Sequence, residues 1–257
     1  MNSIGKAVSG SGKAAIGTSI AGSALTAVST APEKLSTLLH RRYPTVGVTG
    51  MTGVGKTRLV DRLARRTTAE GVTEVGSATM ERRTSKSARL KGFRFRVVPG
   101  DNAATRLTAL DEVFYEAPVD GVIHVVAYGH ATPRRSGGVS GAAPERTVEE
   151  QLAAELEDWT ITAHRIAAMA VRRERPVWVV VAVTKADLYP ERLDEAVRYY
   201  SPGSGSPFAA KLDELRALAG GAQISIDVLP VSAENSKELD SLLATLEARM
   251  AQLSGHV

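Results

Sequence analysis

Apolar positions along the 257-residue chain fall into short blocks with two different periods. Pro44–Thr49 is a β-branched block that predicts a short buried strand. From Lys56 to about Thr67, Leu59, Val60 and Leu63 share one helical face. Phe93–Val98 and Gly121–Ala127 read as further strands. Pro176–Val183 is nearly all apolar, as in a strand covered on both faces. Ile224–Val231 reads as another strand. Helical spacing runs from about Glu145 to Arg173 and again over Ser236–Ala251. Strands alternating with helices predict an α/β protein with a mostly parallel sheet and helices on both faces. In such sheets ligands gather at the C-terminal strand ends.

Residues 1–31 do not share this pattern. They are built from Gly, Ala, Ser, Thr, Ile and Val, and composition shifts near Pro32. The expected division is an arm, 1–42, and a folded domain, 43–257. Ile4, Val8, Ile16, Ile20, Ala24 and Val28 fall on one helical stripe. Gly5, Gly10, Gly12, Gly17 and Gly22 interrupt it, each costing about 1 kcal/mol relative to Ala. Two readings stay open: a weakly helical leader, or a basic segment that docks on a membrane or on another protomer. Charge sharpens the contrast. The net charge is +4, and Lys6, Lys13, Lys34, Arg41 and Arg42 against Glu33 place all of that excess in the arm.

The composition excludes several chemistries. There is no cysteine, so disulfide scaffolds, Cys-ligated zinc, thiol nucleophiles and iron–sulfur clusters are ruled out. The chain is long enough to bury a core without such staples. No apolar run approaches the ~20 residues of a membrane-spanning helix. The expected location is cytoplasmic, with peripheral membrane contact through the arm as the variant.

The strand at 44–49 runs directly into Gly50-Met51-Thr52-Gly53-Val54-Gly55-Lys56-Thr57, which matches G-x-x-x-x-G-K-[ST]. A helix follows. Strand, glycine loop and helix in that order form a phosphate cradle. Backbone N–H groups of Gly50, Thr52, Gly53, Val54 and Gly55 turn inward onto phosphate oxygens. Lys56 reaches the β- and γ-phosphates, and the Thr57 hydroxyl ligates Mg²⁺. The positive end of the helix adds to the field.

Two later motifs lie at strand ends: Thr184-Lys185-Ala186-Asp187 after 176–183, and Ser232-Ala233 after 224–231. With these, residues 43–253 resemble the Ras-like and translation-factor GTPases, whose base motif [NT]-K-x-D is followed by S-A. The resemblance implies a three-layer P-loop G domain that binds GTP and GDP with Mg²⁺. By the same resemblance, Asp187 would accept from guanine N1 and N2, and the Lys185 stem would pack on base and ribose. Ala233 would offer its N–H to guanine O6, beside Ser232. Thr184 stands where Asn is commoner, so the tie from this loop to the phosphate loop is expected to be partly lost.

The family's D-x-x-G motif is degenerate here. Val97-Val98-Pro99-Gly100 keeps the glycine, whose N–H would meet the γ-phosphate, but Val97 replaces the carboxylate near Mg²⁺. Asp101 follows the glycine, and an alternative register lets it serve the metal. Thr79 is the candidate switch threonine for Mg²⁺ and γ-phosphate, with Thr73 and Thr84 as rivals. The groups acting on the γ-phosphate would be Lys56, Thr79 and Gly100, and the metal ligands Thr57 and Thr79. Arg82, Arg83, Lys86, Arg89, Lys91, Arg94 and Arg96 crowd residues 81–96, which read as an edge hairpin. That edge is either a charged guard against aggregation or a surface for an effector, anionic lipid or RNA. The loop 131–144 carries Arg134 and Arg135, candidates for an arginine finger in cis. His124 reads as a core residue and His130 as a loop residue. The function implied is a slow GTPase acting as a molecular switch. The alternative is a hydrolysis-deficient GTP-binding scaffold that docks to a membrane or protein partner. An effector or activating protein would complete the site, and RNA is the weaker partner.

Overall fold

A computed structural model describes residues 43–64, 81–86, 92–100, 103–132, 146–173, 176–220, 222, 224–234 and 236–255. All lie in one unit, Tyr43–Val257, and the arm lies outside the described residues. Among them, six strands form one sheet: β1 (Thr45–Thr49), β2 (Glu81–Lys86), β3 (Gly92–Val97), β4 (Gly121–Val126), β5 (Val177–Val183) and β6 (Ile224–Pro230). Their spatial order is β2-β3-β1-β4-β5-β6. The strands from β3 to β6 run parallel. β2 pairs antiparallel with β3, Arg82 opposite Arg96 and Lys86 opposite Gly92. Residues 81–86 and 92–96 of the basic stretch thus pair at the edge of the sheet, as expected. β1 has β3 on one side and β4 on the other, so its C-terminal end is the switch point where an open sheet of this kind binds its ligand.

The helices are α1 (Lys56–Leu63), α2 (Ala103–Asp111), α3 (Val148–Arg172), α4 (Leu193–Tyr200), α5 (Pro207–Ala219) and α6 (Lys237–Leu253). α2 runs on into a π turn, Glu112–Glu116. The expected continuation of α1 to Thr67 lies outside the described residues. α2, α4 and α5 have no counterpart in the sequence reading. The α4–α5 junction ends in a cap: Ser206 Oγ accepts the Ala209 N–H at 3.0 Å, with Pro207 opening α5.

Alternation along the strands feeds two cores. On one face Val46, Val48, Phe95, Val97, Ile123, Val125 and Val180 meet Leu59, Val60 and Leu63 of α1 and Leu246 and Met250 of α6. On the other, Val122, Val126, Val179 and Val181 meet Leu110 of α2, Trp159 and Ile166 of α3, and Phe208 and Leu212 of α5. Every β5 residue is buried, which is why its sequence is an unbroken apolar run. Each fully buried large side chain contributes about 1.5–3 kcal/mol. α3 starts at a capping box. Thr147 Oγ1 accepts the Glu150 N–H at 3.2 Å, and Glu150 Oε2 accepts the Thr147 N–H at 2.9 Å.

Candidate functional site

β1 ends against the glycine loop. Gly50, Gly53 and Gly55 have φ of 130°, 80° and 94°, a region that L side chains rarely occupy. This turns the loop back on itself and starts α1 at Lys56. Lys56 is buried, and its Nζ donates to Gly50 O at 2.8 Å and Met51 O at 2.9 Å. Thr57 sits half-buried in the first turn of α1. Gly100, just past β3, closes on the same loop. A Cβ there would lie 2.6 Å from Thr52 Oγ1, 2.8 Å from Thr52 N and 2.9 Å from Lys56 Nζ. A side chain at this position would collide with the Thr52 backbone.

The base-recognition candidates meet at the ends of β5 and β6. Thr184 Oγ1 lies 2.6 Å from Val54 O and 2.8 Å from Val126 O. Val126 O also accepts the Thr184 N–H at 2.8 Å, and the shorter hydroxyl contact is the one to Val54 O in the phosphate loop. The threonine hydroxyl thus keeps one bond of the tie that was expected to be partly lost, because the loop approaches closely enough for a short side chain to reach. Lys185 is left-handed, φ 60° and ψ 32°. Its Nζ donates to His130 O at 2.7 Å and Thr132 Oγ1 at 2.5 Å. Ser232 Oγ donates to Asp187 Oδ1 at 2.5 Å and accepts the Glu234 N–H at 3.1 Å. The Ala186 N–H donates to Val231 O at 3.3 Å, and Tyr189 OH donates to Thr184 O. These bonds fasten the two turns together, with half-buried Ala233 following Ser232.

Val97 is packed in the core between the sheet, α1 and α6, so this position brings an apolar contact and no carboxylate. Thr79, Thr73, Asp101, Arg134 and Arg135 lie outside the described residues. Thr84 lies in β2 opposite Arg94. Arg96 Nη1 donates to Ala117 O at 2.8 Å, while Arg94 is exposed. Among the described residues no group of three or more His, Asp or Glu side chains could hold a metal. No described helix is long and apolar enough to cross a membrane.

No protein-family model matches the sequence, and no curated protein matches it. Solved structures do. A mammalian SRP receptor aligns at 15% identity and TM-score 0.49, over 81% of this chain and 99% of that one. A GTP-binding protein from the hyperthermophilic archaeon Sulfolobus solfataricus, in complex with GDP, aligns at 16% identity and TM-score 0.45, over 93% of this chain and 60% of that one. An S. thermophilus NFeoB variant bound to GMPPNP gives 14% and 0.45, over 83% of this chain and 63% of that one. The fold itself is a three-layer α/β fold with a mostly parallel sheet and a glycine loop between β1 and α1. At these identities and TM-scores no residue role is carried over from these structures.

Behind the site, α3 carries a polar stripe that the sequence reading missed. Gln151, Glu155, Asp158 and Thr162 are spaced by four, three and four residues, so they line one helical face. Gln151 Oε1 accepts the Ala131 N–H at 2.7 Å, and Glu155 Oε1 accepts the Ala127 N–H at 2.8 Å. Tyr200 OH donates to Glu155 Oε2. Asp158 forms an ion pair with Arg106 of α2. Glu155 and Asp158 are almost fully buried. Burial raises the Glu155 carboxyl to about 7, against the downward pull of Tyr200 and the Ala127 N–H. Burial also raises Asp158, to about 6, while Arg106 and Lys56 hold it down. His124 is a core residue as expected, 1% exposed, but not an apolar one. Its Nδ1 and Thr49 Oγ1 share a 3.0 Å hydrogen bond one residue before the glycine loop. Burial, then Arg106 and Lys56, lower its imidazole to about 3, so it is neutral at neutral pH. The available signal was polar residues recurring at helical spacing on the face that also holds Trp159 and Ile166.

Proposed function

We propose that this protein binds guanine nucleotides, GTP and GDP, and hydrolyses GTP slowly to GDP and phosphate as a molecular switch. One observation carries the reading. The glycine loop, the Gly100 turn, the Thr184–Asp187 turn and the Ser232–Ala233 turn converge at the C-terminal edge of one sheet. The Thr184–Val54 and Ser232–Asp187 hydrogen bonds join three of them there, and Gly100 lies against Thr52 and Lys56.

In this reading the phosphates lie against the inward N–H groups of Gly50 to Gly55, with Lys56 neutralising β- and γ-oxygens. Gly100 offers its N–H to the γ-phosphate. Asp187 accepts from the guanine edge, a demand adenine does not meet, since a mismatched base leaves a buried polar group without its partner. The Lys185 stem covers base and ribose, and Ala233 N–H faces O6. Water attacks the γ-phosphorus and the bond to the β–γ bridging oxygen breaks, releasing GDP. Thr57 would hold Mg²⁺, with Thr79 as its second protein ligand. Such an ion supplies charge neutralisation on the phosphates. Rate enhancement then comes from positioning and fixed charge.

A second reading has a specific observation behind it. Val97 gives the metal-proximal position no carboxylate, which favours a scaffold that holds GTP without turnover until a protein partner completes the site. The arm, 1–42, would then give peripheral membrane or protein contact. The deciding experiment is single-turnover phosphate release from protein loaded with labelled GTP and Mg²⁺, with Lys56→Ala as the control. Release that disappears in the control supports the GTPase. GTP that stays bound and intact for hours supports the scaffold. Failure to retain any guanine nucleotide sinks both readings.

A further inference from the structure

Residues 127–132, which follow β4, belong to no recognised motif. They nevertheless touch both the glycine loop and the turn that carries Lys185. The chain turns through Tyr128 and Gly129, at φ 48° and 76°, closed by the His130 N–H to Ala127 O bond at 2.9 Å. It then crosses the glycine loop. The Thr132 N–H donates to Gly53 O at 3.0 Å, and a Cβ on Gly53 would lie 2.2 Å from Thr132 O. On the base side, the Lys185 amine is shared between Thr132 Oγ1 and His130 O. The His130 ring stacks on Tyr189, centroids 4.9 Å apart and planes 19° apart. Toward α3, Ala131 N–H is held by Gln151.

We infer that His130–Thr132 is a strap that positions Lys185 and seats the phosphate loop, and that the Thr132 hydroxyl sets how long a bound guanine nucleotide is retained. The inference rests on the nucleotide-binding reading above and deepens it. Hydrogen bonds to a charged donor are stronger than neutral ones. Lysine has a long stem with several rotatable bonds, and fixing it costs side-chain entropy. An amine held by the strap fixes that stem before the base and ribose arrive, so the cost does not fall on nucleotide binding. Thr132 is therefore a positioning residue acting through Lys185.

The test is the dissociation rate of fluorescent GDP from the full chain, chased with excess GDP, for wild type, Thr132→Ala and Thr132→Ser. Loss of the hydroxyl in Thr132→Ala is expected to speed release about three- to tenfold. Thr132→Ser keeps the oxygen and is expected to stay within about twofold of wild type, the margin set by the methyl group it lacks. The melting temperature of the nucleotide-free Thr132→Ala protein is expected to stay at the wild-type value, since Thr132 is exposed. Equal release from wild type and Thr132→Ala overturns the strap while leaving nucleotide binding intact. So does Thr132→Ser releasing as fast as Thr132→Ala, because the hydroxyl is then not the cause. A wild type that retains no GDP overturns the nucleotide reading and the strap with it.

Discussion

Thr184 shows how much one hydroxyl decides. The backbone N–H of Thr184 satisfies Val126 O, and its side chain satisfies Val54 O. Thr184→Val is close in shape but leaves the Val54 carbonyl without its donor. Removing one partner of a buried pair costs about 1–3 kcal/mol. The expected result is a lower urea midpoint with an unchanged slope, together with weaker guanine-nucleotide affinity. A midpoint equal to wild type would mean that Val54 O finds another donor. Val97 is the opposite case. Its identity removes a charge from the site and adds an apolar contact to the core. In the proposed function, neutralising the phosphates then falls to Lys56 and the backbone donors.

At the level of elements, α3 is the platform. Its core-facing apolar residues pack on the sheet, and the stripe from Gln151 to Asp158 fixes the strap, the end of β4 and α2 in turn. Anything that loosens its first turn should therefore be felt at Gln151. Thr147→Ala removes one half of the capping box and is expected to cost about 1 kcal/mol, measured as a reduced denaturation midpoint. No change in midpoint would show that the first turn of α3 adds nothing to the stability of the fold. The spacing of this stripe was legible in the sequence. What it holds was not, because the partners lie between 20 and 52 residues away along the chain.

For the whole molecule, the buried carboxylates make stability depend on pH in a direction opposite to that of ordinary surface ion pairs. The Glu155 carboxyl moves from 4.5 to about 7 on folding. The groups facing it are Tyr200, the Ala127 N–H, Asp158, Lys185, Tyr189 and Tyr199. A raised carboxyl binds its proton more tightly in the folded state. Its contribution is full below about pH 4.5 and is lost as pH rises through about 7. Asp158 acts in the same direction between 3.8 and about 6. Glu155→Gln keeps an acceptor for the Ala127 N–H and removes the titration. Melting temperature against pH from 4 to 8 is expected to fall less steeply in this variant than in wild type. Parallel curves would assign the slope to other groups.

The sequence by itself determined the α/β alternation, the central strands and the three loop motifs, because these are local. Period, glycine content and residue order are written within a few positions of one another. It also indicated the basic edge hairpin and the buried His124. It did not reveal α2, α4 and α5, nor the ends of elements set by caps. Tertiary structure alone decided that Thr184 reaches the phosphate loop, that Lys185 is held by His130 and Thr132, and that Glu155 and Asp158 are buried rather than solvated. Each of these depends on which strands lie side by side. The order β1-β4-β5 brings Val54, Val126, Thr132 and Thr184 together from places as far as 130 residues apart. Hydrogen bonds act over about 3 Å, so contacts of that range become visible only once the sheet has been assembled.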